Sequence, residues 1–360
     1  MRGVYIHIPF CNSICSYCDF CKFLHNDLWA KMYLESLHKE IEEYYEGDTV
    51  KSIYIGGGTP SCLSYDNIIK LFEITKMFNT TKNFEFTFEC NVNDITPELL
   101  MILKDAGVNR ISIGVESFDK YVLKYLNRKH DKKEVFKNVE LAKKYFDNVN
   151  VDLIYAVPIE NMHILKSDIS NILKLDINHI STYSLIIEPH TAFFNKGVKN
   201  IDEELDAKMY SYICKKLKKK GFIHYEVSNF SKFGYESKHN LTYWDNGEYY
   251  GFGAGAHGFI NSVRYENTRN LNKYLKNEFR FNEVLMSTQE DMENELMLGL
   301  RKIDGISMSK FMDKFGIDVL DAFPKIRVAI NNKYMAIDDD KLFIVTDKIY
   351  VMNEILNMIL

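Results

Sequence analysis

Apolar positions along the first half of the chain follow two alternating rhythms. Short runs rich in β-branched and aromatic residues, Val4–Ile8, Ser52–Ile55, Phe84–Phe88, Arg110–Val115, Val151–Tyr155 and His179–Leu185, read as six strands. Between them, apolar residues recur at helical spacing in Leu28–Tyr45, Tyr65–Phe78 and Thr96–Ala106. The last of these carries its own punctuation: Thr96 as N-cap, Pro97 in the first turn and Gly107 just past the end. Strands and helices alternating in this way imply parallel strands joined by right-handed crossovers. Six such units predict an α/β fold, an incomplete (βα)6 TIM-like barrel over residues 1–190.

The rhythm changes after residue 190. Residues 191–280 are expected to form an extension of the barrel, with a helix over Asp202–Lys220, a strand-like run Ile223–Val227, and a glycine- and aromatic-rich stretch from His239 to Phe259. Residues 281–360 predict helices Met292–Lys302, Ser307–Phe315 and Asp318–Phe323. A hairpin follows, Tyr334–Ile337 and Leu342–Val345, turning through Asp338-Asp339-Asp340. Helices followed by a small hairpin predict a C-terminal winged-helix-like module, read as a packing or protein-interaction element.

A hydrophobic fraction of 46% is ample for a buried core, and a formal net charge of −5 argues against a nucleic-acid partner bound through its phosphates. The basic run Lys215–Lys220 fits the solvated end of a helix closing at Gly221. No apolar stretch is long enough to span a membrane. The opening Met1-Arg2-Gly3-Val4 is not an apolar signal segment, so a cytoplasmic, reducing location is expected.

Chemistry concentrates in Pro9-Phe10-Cys11-Asn12-Ser13-Ile14-Cys15-Ser16-Tyr17-Cys18-Asp19-Phe20. Three thiols on one short loop can share an inorganic centre, and iron–sulfur clusters are held by such thiolates. A structural zinc site asks for four Cys or His ligands, and no partner pair follows at the usual distance. A disulfide is disfavoured by the expected compartment. With three ligands, one iron of a four-iron cluster stays open to a further molecule. Cys21 reads as a neighbouring thiol outside the cluster. One strand–helix unit later, Gly56-Gly57-Gly58-Thr59-Pro60 allows close approach of a ligand to the backbone and lacks the lysine of a phosphate loop.

Cys-x-x-x-Cys-x-x-Cys followed by Gly-Gly-Gly-Thr-Pro resembles the radical S-adenosylmethionine (SAM) superfamily. The resemblance implies that Cys11, Cys15 and Cys18 hold a [4Fe–4S] cluster, that SAM chelates the open iron, and that Gly56, Gly57, Gly58 and Thr59 contact its amino end. Tyr5-Ile6-His7-Ile8-Pro9-Phe10-Cys11 is similar to the opening of the HemN/HemW branch, which places Tyr5, Tyr17, Glu89, Glu116, Arg128 and Asp152 among the SAM contacts.

Within that branch, the enzymes that oxidatively decarboxylate coproporphyrinogen III carry Cys-x-Cys at the end of the motif, where this chain has Phe20. Tyr17-Cys18-Asp19-Phe20 is instead similar to the HemW type, regarded as haem chaperones. His239-Asn240-Leu241-Thr242-Tyr243-Trp244 matches their His-Asn-x-x-Tyr-Trp pattern, which implies haem ligation by His239, with His257 next. The resemblance further implies an acceptor protein for haem and an electron donor such as a flavodoxin or ferredoxin. Three stretches depart from the branch: Glu116 in place of Gln, Val92 in place of Pro, and Ala156-Val157-Pro158-Ile159-Glu160-Asn161 in place of Gly-Leu-Pro-Gly-Gln-Thr.

Overall fold

A computed structural model describes all 360 residues. The six expected strands form, as β1 (Arg2–Ile8), β2 (Thr49–Gly57), β3 (Asn79–Asn91), β4 (Arg110–Glu116), β5 (Asn148–Tyr155) and β6 (His179–Ser184). Each lies parallel to the next. Their apolar residues alternate with polar ones, so that one face packs against the crossover helices while the other turns polar side chains such as Tyr54, Glu89, Arg110, Ser112, Asn150 and Asp152 toward the inside of the barrel. Because all six run the same way, the loops after them gather on one rim, where a partial barrel can collect chemistry. Thr96 caps its helix as expected, accepting from the Leu99 amide at 3.1 Å.

The sheet continues beyond these six at both edges, to twelve strands. Beside β1 lies Tyr249–Phe252, parallel to it, followed by antiparallel His257–Ile260, Val263–Asn267 and Arg280–Leu285. Beside β6 lies Asn229–Ser231, antiparallel to it, and beyond that Ile223–Glu226, antiparallel to Asn229–Ser231. The stretch from His239 onward therefore holds a short helix, Lys238–Trp244, and two strands that its glycines obscured. The lysine run does end a helix, Glu203–Lys219, whose first turn is acidic and last turn basic, in line with the helix dipole.

Glu40, on helix Asp27–Tyr44, ties the extension to the barrel. It is fully buried and accepts from the Gly253 amide (2.8 Å), Asn267 Nδ2 (2.6 Å) and the Tyr274 hydroxyl (2.5 Å). A buried carboxylate is tolerated only when its lone pairs are filled in this manner.

The C-terminal residues form a three-stranded sheet, Ile306–Ser307, Lys341–Ile344 and Met335–Asp338 in spatial order, against helices that include Thr288–Gly299 and Met308–Phe315. Two further helices, Lys325–Asn331 and Met352–Ile359, lie outside the sequence expectation. The last one buries Met352, Ile355, Leu356 and Ile359, a one-faced helical spacing at the chain end.

Just past β5, Ala156 is buried at φ +62°, a left-handed conformation that costs a residue with a Cβ roughly 1 kcal/mol or more. This is the position where the HemW-type pattern has glycine. Ala156→Gly is expected to raise stability by about 1 kcal/mol, relieved strain outweighing the added chain entropy of the unfolded state. Reversible denaturant unfolding checks this; an unchanged or lower midpoint would contradict it.

Candidate functional site

The C-terminal ends of the parallel strands open onto one cavity of about 460 Å³, and Cys11, Cys15 and Cys18 all line it. The cysteine loop is held in place from several sides. The Ser16 amide donates to the Leu126 carbonyl (3.2 Å), Asn127 Nδ2 to the Ile14 carbonyl (2.7 Å), and the Phe193 amide to the Ser16 carbonyl (3.0 Å). Thr59 Oγ1 reaches Cys11 Sγ at 3.6 Å and Arg128 Nη1 reaches Cys15 Sγ at 3.5 Å. Burial pushes the Cys11 thiol up to about 11, so a metal centre here would have to displace its proton. No three Cys, His, Asp or Glu side chains gather closely enough for one ion. Three thiolates are the donor set for a four-iron cube with one iron left open.

Three carboxylates, Glu89, Glu116 and Asp152, line the cavity with the cysteines, as does Arg128 beside Cys15. Glu89, on β3, accepts from the Tyr54 hydroxyl (2.7 Å) and the Gly57 amide (3.1 Å). Asp152, on β5, accepts from Asn150 Nδ2 (2.7 Å) and Ser112 Oγ (3.3 Å). Glu116 ends β4 beyond an irregularity in its register with β5 and stands at φ +64°, which turns its carboxyl into the cavity 3.8 Å from Arg128. Tyr17 also lines the cavity, near Glu116.

The glycine strip works by what it leaves out. A Cβ on Gly57, at φ +113°, would strike the His7 ring at 2.4 Å, and one on Gly58 would meet the Phe10 carbonyl at 2.7 Å. The amides of Gly57, Gly58 and Thr59 are already given to Glu89, the Ile8 carbonyl and the Phe10 carbonyl. The strip therefore lets the cysteine loop and Glu89 close in on β2, and those three amides are not free for a ligand.

Several of the expected site residues stand off the cavity wall. Tyr5 hydrogen-bonds His7 Nδ1 (3.0 Å) and packs against Tyr54, and Gly56 lies against the Glu89 carboxylate. His239 is buried, with Nδ1 on Ser52 Oγ (3.0 Å) and Nε2 on the Tyr243 hydroxyl (2.7 Å). Burial, with Arg110 and Lys51 nearby, holds its imidazole down to about 3, so it is neutral. His257 is exposed on the outer strand. Cys21 is packed away from the cavity, its sulfur 3.5 Å from the Arg269 carbonyl.

Tyr54, Arg110, Asn150, Ser112 and Asn240 line the cavity as well and were not anticipated. Four of them sit in or at the start of strands whose alternation reads as core; the one available signal was a charged residue, Arg110, opening an otherwise apolar strand.

This constellation fits a cation. SAM carries a sulfonium and an ammonium, and its carboxylate matches the Arg128 guanidinium. Burial pushes Glu89 and Glu116 each up to about 7, so both are largely protonated below that pH and charged above it. SAM, which favours the charged forms, is expected to bind more tightly at pH 8 than at pH 6 and to release protons on binding. Calorimetry in buffers of different ionisation enthalpy measures this; pH-independent affinity with no proton release would contradict it.

Residues 5–170 match the radical SAM superfamily and residues 286–345 the HemN C-terminal domain. The chain is 42% identical over 356 residues to the "Heme chaperone HemW" of Lactococcus lactis, covering 96% of this chain and 94% of the relative. It is 40% identical over 342 residues to the protein of the same name from Bacillus subtilis, covering 91% and 90%. The solved coproporphyrinogen III oxidase HemN of Escherichia coli superposes with a TM-score of 0.87 over 99% of this chain and 90% of that one, at 18% identity, a likeness of fold. The chain belongs to the radical SAM superfamily and, within its HemN/HemW branch, to the HemW family.

Proposed function

We propose that this chain is a cytoplasmic haem chaperone that holds a [4Fe–4S] cluster and SAM, carries haem as cargo, and passes it to an acceptor protein. Cys11, Cys15 and Cys18 hold the cluster. Glu89, Glu116, Arg128 and Asp152 hold SAM, with Tyr5, Tyr17 and the Gly56–Thr59 strip supporting the fit. When bound, the cluster supplies an electron at an open iron, delivered by a flavodoxin or ferredoxin. The protein's own residues orient the cation, neutralise its charge and keep water from it.

The observation that carries the chaperone reading is Phe20. It stands 59% exposed where the enzyme branch has its additional cysteine, so the thiol that distinguishes the coproporphyrinogen oxidases is absent beside the cluster loop. The relatives' name, "Heme chaperone HemW", supports the same reading. Residues 1–190 supply the cluster and SAM site, 191–280 bring the His-Asn-x-x-Tyr-Trp motif, and 281–360 add the winged-helix-like module for contact with a partner. No helix is long and apolar enough to cross a membrane, and the net charge of −5 does not suit a nucleic-acid partner.

Haem ligation by His239 requires the ring to give up Ser52 or Tyr243, since both nitrogens are engaged. His257, exposed on the neighbouring strand, needs no such exchange.

Anaerobic reconstitution followed by haem titration and a coproporphyrinogen turnover assay on one sample tests the proposal. Stoichiometric haem binding without decarboxylation is expected, and decarboxylation without haem binding would overturn it. Cys11→Ala, Cys15→Ala and Cys18→Ala should each lose cluster iron by about tenfold or more. A variant that retained full cluster iron would remove that cysteine from the ligand set.

A further inference from the structure

Arg110 opens β4 and Glu116 ends it, and both line the cavity, Glu116 at the end of the strand that meets the cysteine loop and Arg110 at the other. Arg110 is 1% exposed, and its buried Nε has no hydrogen-bond partner. Its acidic neighbours Glu85 and Asp152 act on it only through space. Both are already committed. Glu85 accepts from Ser237 Oγ (3.2 Å), the Lys238 amide (3.0 Å) and the His239 amide (3.0 Å). Asp152 is held by Asn150 and Ser112.

A guanidinium buried without a bonded anion is costly, and one aimed into a cavity has its fork free for a planar anion. Asn240 lines the same cavity, and its carboxamide makes no hydrogen bond within the protein; only its backbone amide is engaged, by Ser237 Oγ. The two neighbours in the His-Asn pair thus face different ways: the His239 ring is pinned between Ser52 and Tyr243, while Asn240 opens onto the cavity. A fork of N–H donors with an added amide suits a carboxylate.

We propose that Arg110 and Asn240 form a carboxylate-binding site at the inner end of the cavity, separate from the anion position at Arg128. The inference rests on the reading that the chain binds SAM and haem, each of which carries carboxylates. With the SAM carboxylate placed at Arg128, the carboxylate that reaches Arg110 is a haem propionate.

Titrations of the reconstituted full-length protein with haem, haem dimethyl ester, SAM and decarboxylated SAM separate these sources. Arg110→Gln and Asn240→Ala should weaken haem by about tenfold or more and leave haem dimethyl ester, SAM and decarboxylated SAM unchanged. Loss confined to SAM and absent with decarboxylated SAM would overturn the propionate assignment. Asn240→Ala removes no internal side-chain bond, so it tests the site even where Arg110→Gln disturbs folding, which thermal melts report. Both acids binding both variants as they bind the wild type, or acid and analogue weakening together, would overturn the site. A wild-type chain that binds neither SAM nor haem would overturn the chaperone reading and the carboxylate site with it.

Discussion

Charge buried at the ends of parallel strands is the condition on which the rest of the structure depends. Glu89, Glu116, Asp152, Arg110 and Arg128 share one cavity, and an isolated charge in such a place costs several kcal/mol. Each carboxylate is tolerated through a specific partner supplied by strand geometry. Tyr54 on β2 serves Glu89 on β3; Ser112 on β4 and Asn150 on β5 serve Asp152; the distorted end of β4 sets Glu116 near Arg128. A slip of one residue in any of these strands would turn the polar set into the helix layer and apolar residues into the cavity.

The same economy explains how the extension is joined to the barrel. Glu85 on β3 caps helix Lys238–Trp244, and the His239 ring bridges Ser52 and Tyr243. The His-Asn-x-x-Tyr-Trp segment is thereby fastened to β2 and β3, next to the tyrosine that holds Glu89; the Tyr54 and His239 rings lie 5.1 Å apart. On the opposite side of β1, Glu40 secures Gly253, Asn267 and Tyr274. The motif read as haem-binding is also part of the structural frame of the cysteine-lined cavity.

The parts legible from the residues alone were those with strong local signals. The six strands were visible because β-branched and aromatic residues recur along their buried outer faces, and Cys11, Cys15 and Cys18 because their spacing confines them to one loop. Glu89, Glu116, Arg128 and Asp152 came from resemblance, since a lone charge near a strand end has no signature of its own. Arg110 and Tyr54 were missed because they sit in strands whose neighbours read as core. The outer strands from Tyr249 to Leu285 were missed because glycines, tight turns and exposed edge residues such as Phe281 weaken the alternation. Ala156 at positive φ shows the limit of local propensity: only the path of the chain out of β5 demands that conformation.

The central claim is that the three-cysteine loop and the carboxylate-lined cavity form one site, in which a cluster and SAM meet. Electron paramagnetic resonance of the reduced, anaerobically reconstituted protein, with and without SAM, tests it most directly. A [4Fe–4S]⁺ spectrum whose g-values shift on adding SAM, with the shift weakened in Glu89→Gln, is the predicted result. A spectrum indifferent to SAM, or a reconstituted protein holding zinc in place of iron, would contradict the account.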